Sequence, residues 1–173
     1  MANRLDIRAI LAQQGDVPLI DVRSEGEYAQ GHIPGAISLP LFNNAERAEI
    51  GTLYKQQGQQ PAILRGLGIV GPKMQTLAEA GLAHARNGRI AVHCWRGGMR
   101  SGSVGWLFER VGLQVDTLIG GYKAYRRHCH TLFATPWKMT VIGGKTGTRK
   151  TEILHHAAGR GVQIVDLEDY ANH

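Results

Sequence analysis

The sequence predicts an α/β fold: a central, mainly parallel sheet flanked by helices. Three features of the 173 residues point there: strand-like and helix-like patterns alternate along the chain, the strand candidates are short and apolar, and glycine or proline separates many of them.

The strand candidates come in order. Pro18-Leu-Ile-Asp-Val22 reads as a short buried strand and Ala36-Ile-Ser-Leu39 as another. Arg89-Ile-Ala-Val-His93 is a third and runs straight into Cys94; Val115 to Ile119 is a fourth. Two helices are marked by apolar faces: Met74, Leu77, Ala78 and Leu82 share one, and Val104, Leu107, Phe108 and Val111 follow the i, i+3, i+4, i+7 spacing of a half-buried helix. In residues 40–72, Gly51, Gly58, Gly66, Gly68, Gly71, Pro61 and Pro72 break the periodicity, which predicts short helices and loops. A helix from Gly121 is expected to end near Ala134-Thr-Pro136, because proline disfavours helix in the residue before it.

Beyond that proline a second pattern starts. A strand from Trp137 to Ile142, a glycine-rich turn, a helix from Lys150 to Ala158 and a strand from Val162 to Val165 would make the first βαβ piece of another domain. The 37 residues from 137 onward are too few to close a doubly wound sheet or cover both its faces. The expected organisation is one complete domain, 1–136, followed by an incomplete one, 137–173, the opening part of a longer protein.

Composition narrows the class. Apolar residues make up 43% and charged residues 20%, as in ordinary globular proteins, and no apolar run approaches the ~18 residues of a membrane span. Neither a signal peptide nor a membrane association is expected. Two cysteines, Cys94 and Cys129, are too few for a disulfide framework, so the reducing cytoplasm is the expected compartment. The net charge of +6 suits either a solvated basic surface or an anionic partner such as nucleic acid; the densest basic cluster is Lys123, Arg126 and Arg127, followed by His128 and His130.

The chemistry concentrates in Cys94-Trp95-Arg96-Gly97-Gly98-Met99-Arg100-Ser101. A buried strand ends at the cysteine, two glycines follow, and a helix begins at about Arg100. The glycines let successive N–H groups turn inward as a nest for an anion, and the helix N-terminus adds free N–H groups. Arg100 supplies a full charge with a bidentate donor set, and Arg96 is a second candidate. A thiol in such a nest has its pKa lowered, and the thiolate is the nucleophile. A buried, inert cysteine at a strand end is the plainer alternative, but packing alone does not explain glycines and arginine at this spacing.

Leu19-Ile-Asp-Val-Arg-Ser-Glu-Gly-Glu-Tyr-Ala-Gln-Gly-His-Ile-Pro-Gly-Ala36 resembles the N-terminal signature of the rhodanese family. That resemblance implies a rhodanese-like fold for 1–136 and makes Cys94 the catalytic cysteine. It gives Asp21, Arg23, Glu27 and His32 a structural part in preference to a catalytic one. Gly51-Thr-Leu-Tyr-Lys-Gln-Gln-Gly58, the Cys94–Ser101 loop and Gly120-Gly-Tyr-Lys-Ala-Tyr-Arg126 further resemble the bacterial tRNA 2-selenouridine synthase family, a rhodanese domain followed by a P-loop domain. What this implies is a transferase that replaces the sulfur of wobble 2-thiouridine by selenium through a geranylated intermediate, with Cys94 as chalcogen carrier. The partners implied are tRNA and a small phosphorylated molecule. No cofactor is expected, selenophosphate and geranyl diphosphate being substrates.

Gly144-Lys-Thr-Gly147-Thr-Arg-Lys150-Thr151 resembles a phosphate-binding P-loop. Gly144, Lys150 and Thr151 fit that pattern, with Gly147 inside the turn, but Arg149 stands where a glycine is expected before the lysine. A side chain there is expected to crowd a bound phosphate or force the loop open, so the loop is degenerate. Ile164-Val-Asp166 resembles the start of the next segment of that family, Asp-Leu-Glu followed by Ala-x-His, which reaches His173.

Other signals are weaker. In His128-Cys129-His130, side chains two apart on a helix point about 200° from each other and cannot grip one ion, and His155-His156 has the same defect; no metal is expected. Cys129 is expected to be a helical thiol, with a role in resolving a persulfide on Cys94 only if the fold brings the two together. His93 is expected to be a strand residue in preference to a general base. Three other functions stay open. One is a stand-alone rhodanese sulfurtransferase. Another is a cysteine phosphatase, since the seven residues from Cys94 to Arg100 also match the loop length of phosphatases of the cell-cycle type. The last is a tRNA-binding fragment without activity.

Overall fold

The computed structural model describes residues 2–171. It divides into two compact units, residues 1–134 and 135–173.

The first unit is built on a five-stranded sheet in the order β1-β5-β4-β2-β3: β1 (Asn3–Leu5), β2 (Leu19–Asp21), β3 (Ile37–Ser38), β4 (Arg89–His93) and β5 (Gln114–Leu118). Every pairing is parallel, so the sheet is wholly rather than mainly parallel. Successive side chains on a strand point to opposite faces, and both faces are covered. On one, Ile20, Val22, Ile90, Val92 and Val115 pack with Leu77, Val104, Leu107 and Phe108. On the other, Leu19, Ala91 and Leu118 pack with Ile10, Ile33, Tyr122 and Tyr125.

The helices that supply these faces are α1 (Ile7–Ala12), α2 (Glu25–Ala29), α3 (Asn44–Gln57), α4 (Gln59–Val70), α5 (Met74–His84), α6 (Met99–Arg110) and α7 (Gly121–Phe133). Capping sets several of their starts. The Ser24 hydroxyl accepts from the Glu27 N–H while the Glu27 carboxylate accepts from the Ser24 N–H, and Asn43 and Glu46 repeat the exchange. On α5 and α6 the expected faces hold, except that Leu82 is 49% and Val111 36% exposed.

Residues 40–72 correct the expectation of short helices and loops. They form α3 and α4, of 14 and 12 residues, packed on each other. Gly58 stops α3, turning the chain at φ 90°, and Gly71 caps the end of α4; Gly51, Gly66 and Gly68 lie inside helices. Gly66 has a close-packing role, since a Cβ there would stand 3.3 Å from the Phe42 ring.

The second unit contains α8 (Lys150–Ala158) and α9 (Leu167–Tyr170). The strands expected at 137–142 and 162–165 do not form. An extended segment becomes a strand only by hydrogen-bonding to a neighbour, and no ladder runs along either. Val141 stays 86% exposed. Asp166 caps α9, and His173, the end of the segment matched above, lies outside the described residues.

Candidate active site

β4 is the central strand of the sheet and delivers Cys94 at its C-terminal end, where parallel sheets place ligands. The cysteine does not sit at the mouth of its loop. It is buried, with 3% of its surface exposed. Its Sγ lies 3.2 Å from the Ser101 hydroxyl oxygen, in the first turn of α6. Burial acts to raise the thiol pKa. The Ser101 hydroxyl and the backbone N–H groups of Ser101, Gly98 and Arg96 outweigh it and hold the pKa below its ordinary value.

Two glycines make this geometry possible. Gly97 takes φ 66°, and a Cβ on it would meet the Leu118 carbonyl at 2.5 Å. Gly121 takes φ 57°, and a Cβ on it would lie 2.2 Å from the Cys94 carbonyl and 2.6 Å from the Gly97 nitrogen. The start of α7 therefore packs backbone to backbone against the cysteine loop. Tyr122 N–H donates to the Cys94 carbonyl at 2.9 Å and Lys123 N–H to the Trp95 carbonyl at 3.0 Å.

A strand-end cysteine, an inward-turned amide loop and the start of a helix form a nest for a small anion on sulfur. The rhodanese-like domain pattern matches residues 6–128. The chain belongs to the rhodanese-like family. Two tRNA 2-selenouridine synthases resemble it across nearly its whole length. That of Pseudomonas putida (strain GB-1) is 41% identical over 167 residues, 91% of this chain and 43% of the relative. That of Bordetella bronchiseptica (strain RB50) is 39% identical over 179 residues, 99% of this chain and 47% of the relative. The chain thus spans just under half the length of these curated relatives. A solved N-terminal domain from Clostridium difficile 630 is 43% identical, with a TM-score of 0.67 over 73% of this chain and 98% of that one.

Within the rhodanese-like chain the charge expected from Arg100 is committed elsewhere. Its guanidinium holds Glu27 at 2.7 and 3.3 Å. Burial raises the Glu27 carboxyl pKa, but Arg100 and the Ser24 N–H more than offset this and hold it below the usual carboxylate value. The donors that reach the thiol are thus neutral, the hydroxyl and the amides. Arg96 is exposed, and Met99 is exposed with its sulfur accepting from Gln59 Nε2 at 3.6 Å. Trp95 is half-buried, its ring 5.6 Å from that of Tyr122.

Below the loop lies a buried polar network. Asp21 and Arg23 are both 0% exposed and joined by hydrogen bonds of 2.6 to 3.0 Å, and Arg23 Nη2 also reaches the Gly31 carbonyl. The Arg23 guanidinium lies 3.9 Å from the Tyr122 ring centre. His93 is fully buried with its Nδ1 3.4 Å from the Cys94 carbonyl, and burial lowers its pKa to about 4. A ring sealed in this way holds the strand end and does not shuttle protons with solvent. His32 stacks on Tyr28, their centroids 3.9 Å apart.

Sequence reasoning placed Ser101 in the anion-binding loop without foreseeing its hydroxyl as the partner of the thiol, and missed Gly121 as the floor of the loop. The second had a signal in the Gly120-Gly121 pair after β5. Cys129 lies eight residues past Gly121, about 12 Å along the helix axis, which keeps it from the Cys94 sulfur. It pairs with Tyr125, whose pKa is pushed up to about 12 by burial and by that cysteine.

In the second unit, Lys150 Nζ donates to the Lys145 carbonyl at 3.1 Å, and the Thr148 hydroxyl donates to the same oxygen at 2.8 Å. Gly144 lies under this turn, where a Cβ would meet Thr148 Oγ1 at 2.8 Å; Gly147 takes φ 84°, and Thr151 is in the first turn of α8. Arg149 takes φ 59°, ψ 31°, a left-handed conformation that glycine adopts freely and that costs a residue with a side chain about 1–2 kcal/mol.

Proposed function

We propose that Cys94 carries sulfur or selenium and that the chain passes it to tRNA, replacing the sulfur of wobble 2-thiouridine. The observation that carries this reading is the recessed thiol held below its ordinary pKa by Ser101 and three amides, with no arginine over it. The names of the tRNA 2-selenouridine synthases support the substrate. Attack of the Cys94 thiolate on the outer sulfur of thiosulfate breaks that S–S bond, sulfite leaves with the electron pair, and Cys94 keeps a terminal perthiolate. The new anion sits among the donors that held the thiolate.

Selenium enters by exchange: the selenophosphate selenium attacks the inner sulfur of the Cys94 persulfide, hydrogen sulfide leaves with the S–S electron pair, and water takes the phosphoryl group as phosphate. At the nucleoside, the 2-thio sulfur displaces diphosphate from geranyl diphosphate. The terminal selenium then bonds to C2 as geranyl thiol departs, and a low-molecular-weight thiol attacks the Cys94 sulfur, breaking the S–Se bond with its electron pair going to selenium. The geranyl step rests on the resemblance of the Gly51–Gly58 and Gly120–Arg126 segments. Selenophosphate and geranyl diphosphate enter as substrates and no cofactor takes part. Gly144, Gly147, Lys150 and Thr151 are the residues a phosphorylated substrate would meet in the second unit. Such work places the chain in the cytoplasm; no helix among the described residues is long and apolar enough to cross a membrane.

Intact mass after incubation with thiosulfate, and after thiosulfate followed by selenophosphate, tests the carrier role. One added sulfur or selenium atom is expected in the wild type and in Cys129→Ser, and none in Cys94→Ser. An adduct that survives Cys94→Ser, or no adduct with either donor, would overturn it.

A further inference from the structure

α7 begins at the floor of the cysteine loop and carries a stripe the chemistry above does not use. Lys123, Arg126, Arg127 and His130 follow the i, i+3, i+4, i+7 spacing, share one face and are all exposed. The opposite face is spent on packing, with Tyr122 and Tyr125 against the Ile10–Leu118 cluster. The stripe runs for about 10 Å from the loop. At its near end the Arg127 guanidinium lies by Gly120, 3.5 Å from where a Cβ would stand. Arg96, in the loop itself, is also exposed.

These charges lack internal partners. Among the described residues none of Arg96, Lys123, Arg126 and Arg127 has a carboxylate within 4.0 Å, whereas Arg23, Arg47, Arg65, Lys73, Arg89 and Arg100 all do. The sequence around them is one-sided: residues 117–151 contain no Asp or Glu but seven of the twenty Lys and Arg. Beside the thiol stands Trp95, half-buried and braced by Tyr122 and by the Arg23 guanidinium at 5.9 Å. A basic stripe with an aromatic ring at one end is how proteins hold unpaired nucleic acid, phosphates on the cations and a base on the ring. Cys94 is recessed, so a base inside a duplex could not reach it.

We propose that Lys123, Arg126, Arg127 and Arg96 bind the sugar–phosphate backbone of an unpaired RNA segment and that Trp95 stacks on the base presented to Cys94. This deepens the tRNA reading above by naming the surface and the strandedness of its substrate.

The test measures fluorescence anisotropy of the full chain with a labelled short single-stranded RNA across a salt series. The same sequence as a blunt duplex and an unlabelled poly-glutamate serve as comparisons. The triple variant Lys123→Ala/Arg126→Ala/Arg127→Ala is expected to lose at least about tenfold in affinity. Its slope of log K against log salt should fall by about 2, three contacts at roughly 0.7 each. Lys55→Ala/Arg65→Ala/Arg110→Ala makes the same charge change on α3, α4 and α6 and should alter neither. Trp95→Leu should cost about tenfold of the preference for single strand over duplex. An unchanged triple variant, an equal loss in the control triple, or competition by poly-glutamate as strong as that by RNA each overturn the proposal, the last in favour of an acidic protein partner. Sulfur loading on Cys94, measured by mass in the same variants, separates the two readings. Loading without stripe-dependent RNA binding sinks the surface alone, and stripe-dependent binding without loading sinks the carrier.

Discussion

Removing the Ser101 hydroxyl should raise the pKa of Cys94, and the size of the change follows from how that hydroxyl is shared. Ser101 Oγ lies 3.2 Å from Sγ and 3.1 Å from the Gly98 carbonyl oxygen, and it has one proton to give. With Cys94 protonated, the S–H donates to Ser101 and the Ser101 O–H donates to Gly98. With Cys94 ionised, the O–H must turn to the sulfur and leave the carbonyl. The thiolate gains a hydrogen bond to a charge, about 1.5–3 kcal/mol, and the loop gives up a neutral one of about 0.5–1.5. The difference, about 1.4 kcal/mol, is one pKa unit. Ser101→Ala in a Cys129→Ser background is therefore expected to titrate about one unit higher, read from thiolate absorbance or from alkylation rate against pH. The alkylation rate at a pH below both midpoints should fall only about threefold, because the more basic thiolate is also the better nucleophile. An unmoved midpoint would mean that the amides of Arg96, Gly98 and Ser101 act alone, and the shared-proton reasoning would be wrong.

Gly121→Ala forces a Cβ to within 2.2 Å of the Cys94 carbonyl and should cost about 3 kcal/mol or more in urea unfolding. Gly112→Ala, also left-handed but facing open space, should cost only about 1–2, and equal losses would remove the close approach from the account. His93 has a folded pKa near 4, so the unfolded chain binds the extra proton as pH falls from about 6.5, and stability declines with it. This residue alone should remove about 2 kcal/mol between pH 7 and pH 5, a loss absent from His93→Phe in paired denaturation curves. Glu27 works with the opposite group type. Its folded pKa is lowered, so its carboxylate stabilises the fold above the ordinary glutamate range and that contribution is lost as pH falls through the folded value. The stability gap between wild type and Glu27→Gln should close on acidification and remain open at pH 7.

The sheet and the cysteine loop were legible because their signals are local. Strands such as Arg89–His93 are apolar runs, and Cys94 followed by Gly97 and Gly98 is a chemical pattern in a single segment. Misread regions depended on partners distant in sequence. Asn3–Leu5 becomes a strand only because β5 lies beside it 113 residues later, with Asn3 in register with Asp116. Trp137–Ile142 looks as strand-like as β4 yet joins no ladder among the described residues. The helix starts at 25 and 44 could have been found, since Ser24-Glu-Gly-Glu27 and Asn43-Asn-Ala-Glu46 carry capping boxes that outweigh the glycines further along. The Gly120-Gly121 pair marks a tight turn after β5, but it does not say that the turn floors a loop 27 residues earlier, and nothing local says that Arg100 answers to Glu27.

That last pairing bears on the chemistries left open by loop length. A phosphoryl site needs cationic donors around a dianion, and the only guanidinium carried by α6 near the nest is held by a carboxylate at 2.7 Å. A nest of amides and one hydroxyl suits a singly charged sulfur or selenium better, since neutral donors stabilise one charge without requiring a second. On the carrier reading proposed above, Glu27 keeps Arg100 off the chalcogen, and releasing Arg100 should shift the loop's preference. In Glu27→Gln, inorganic phosphate should protect Cys94 from alkylation at concentrations several-fold lower than in the wild type, while thiosulfate loading should slow. Equal protection in both proteins would show that Arg100 cannot reach the nest even when free, and the selectivity would have to come from the shape of the loop.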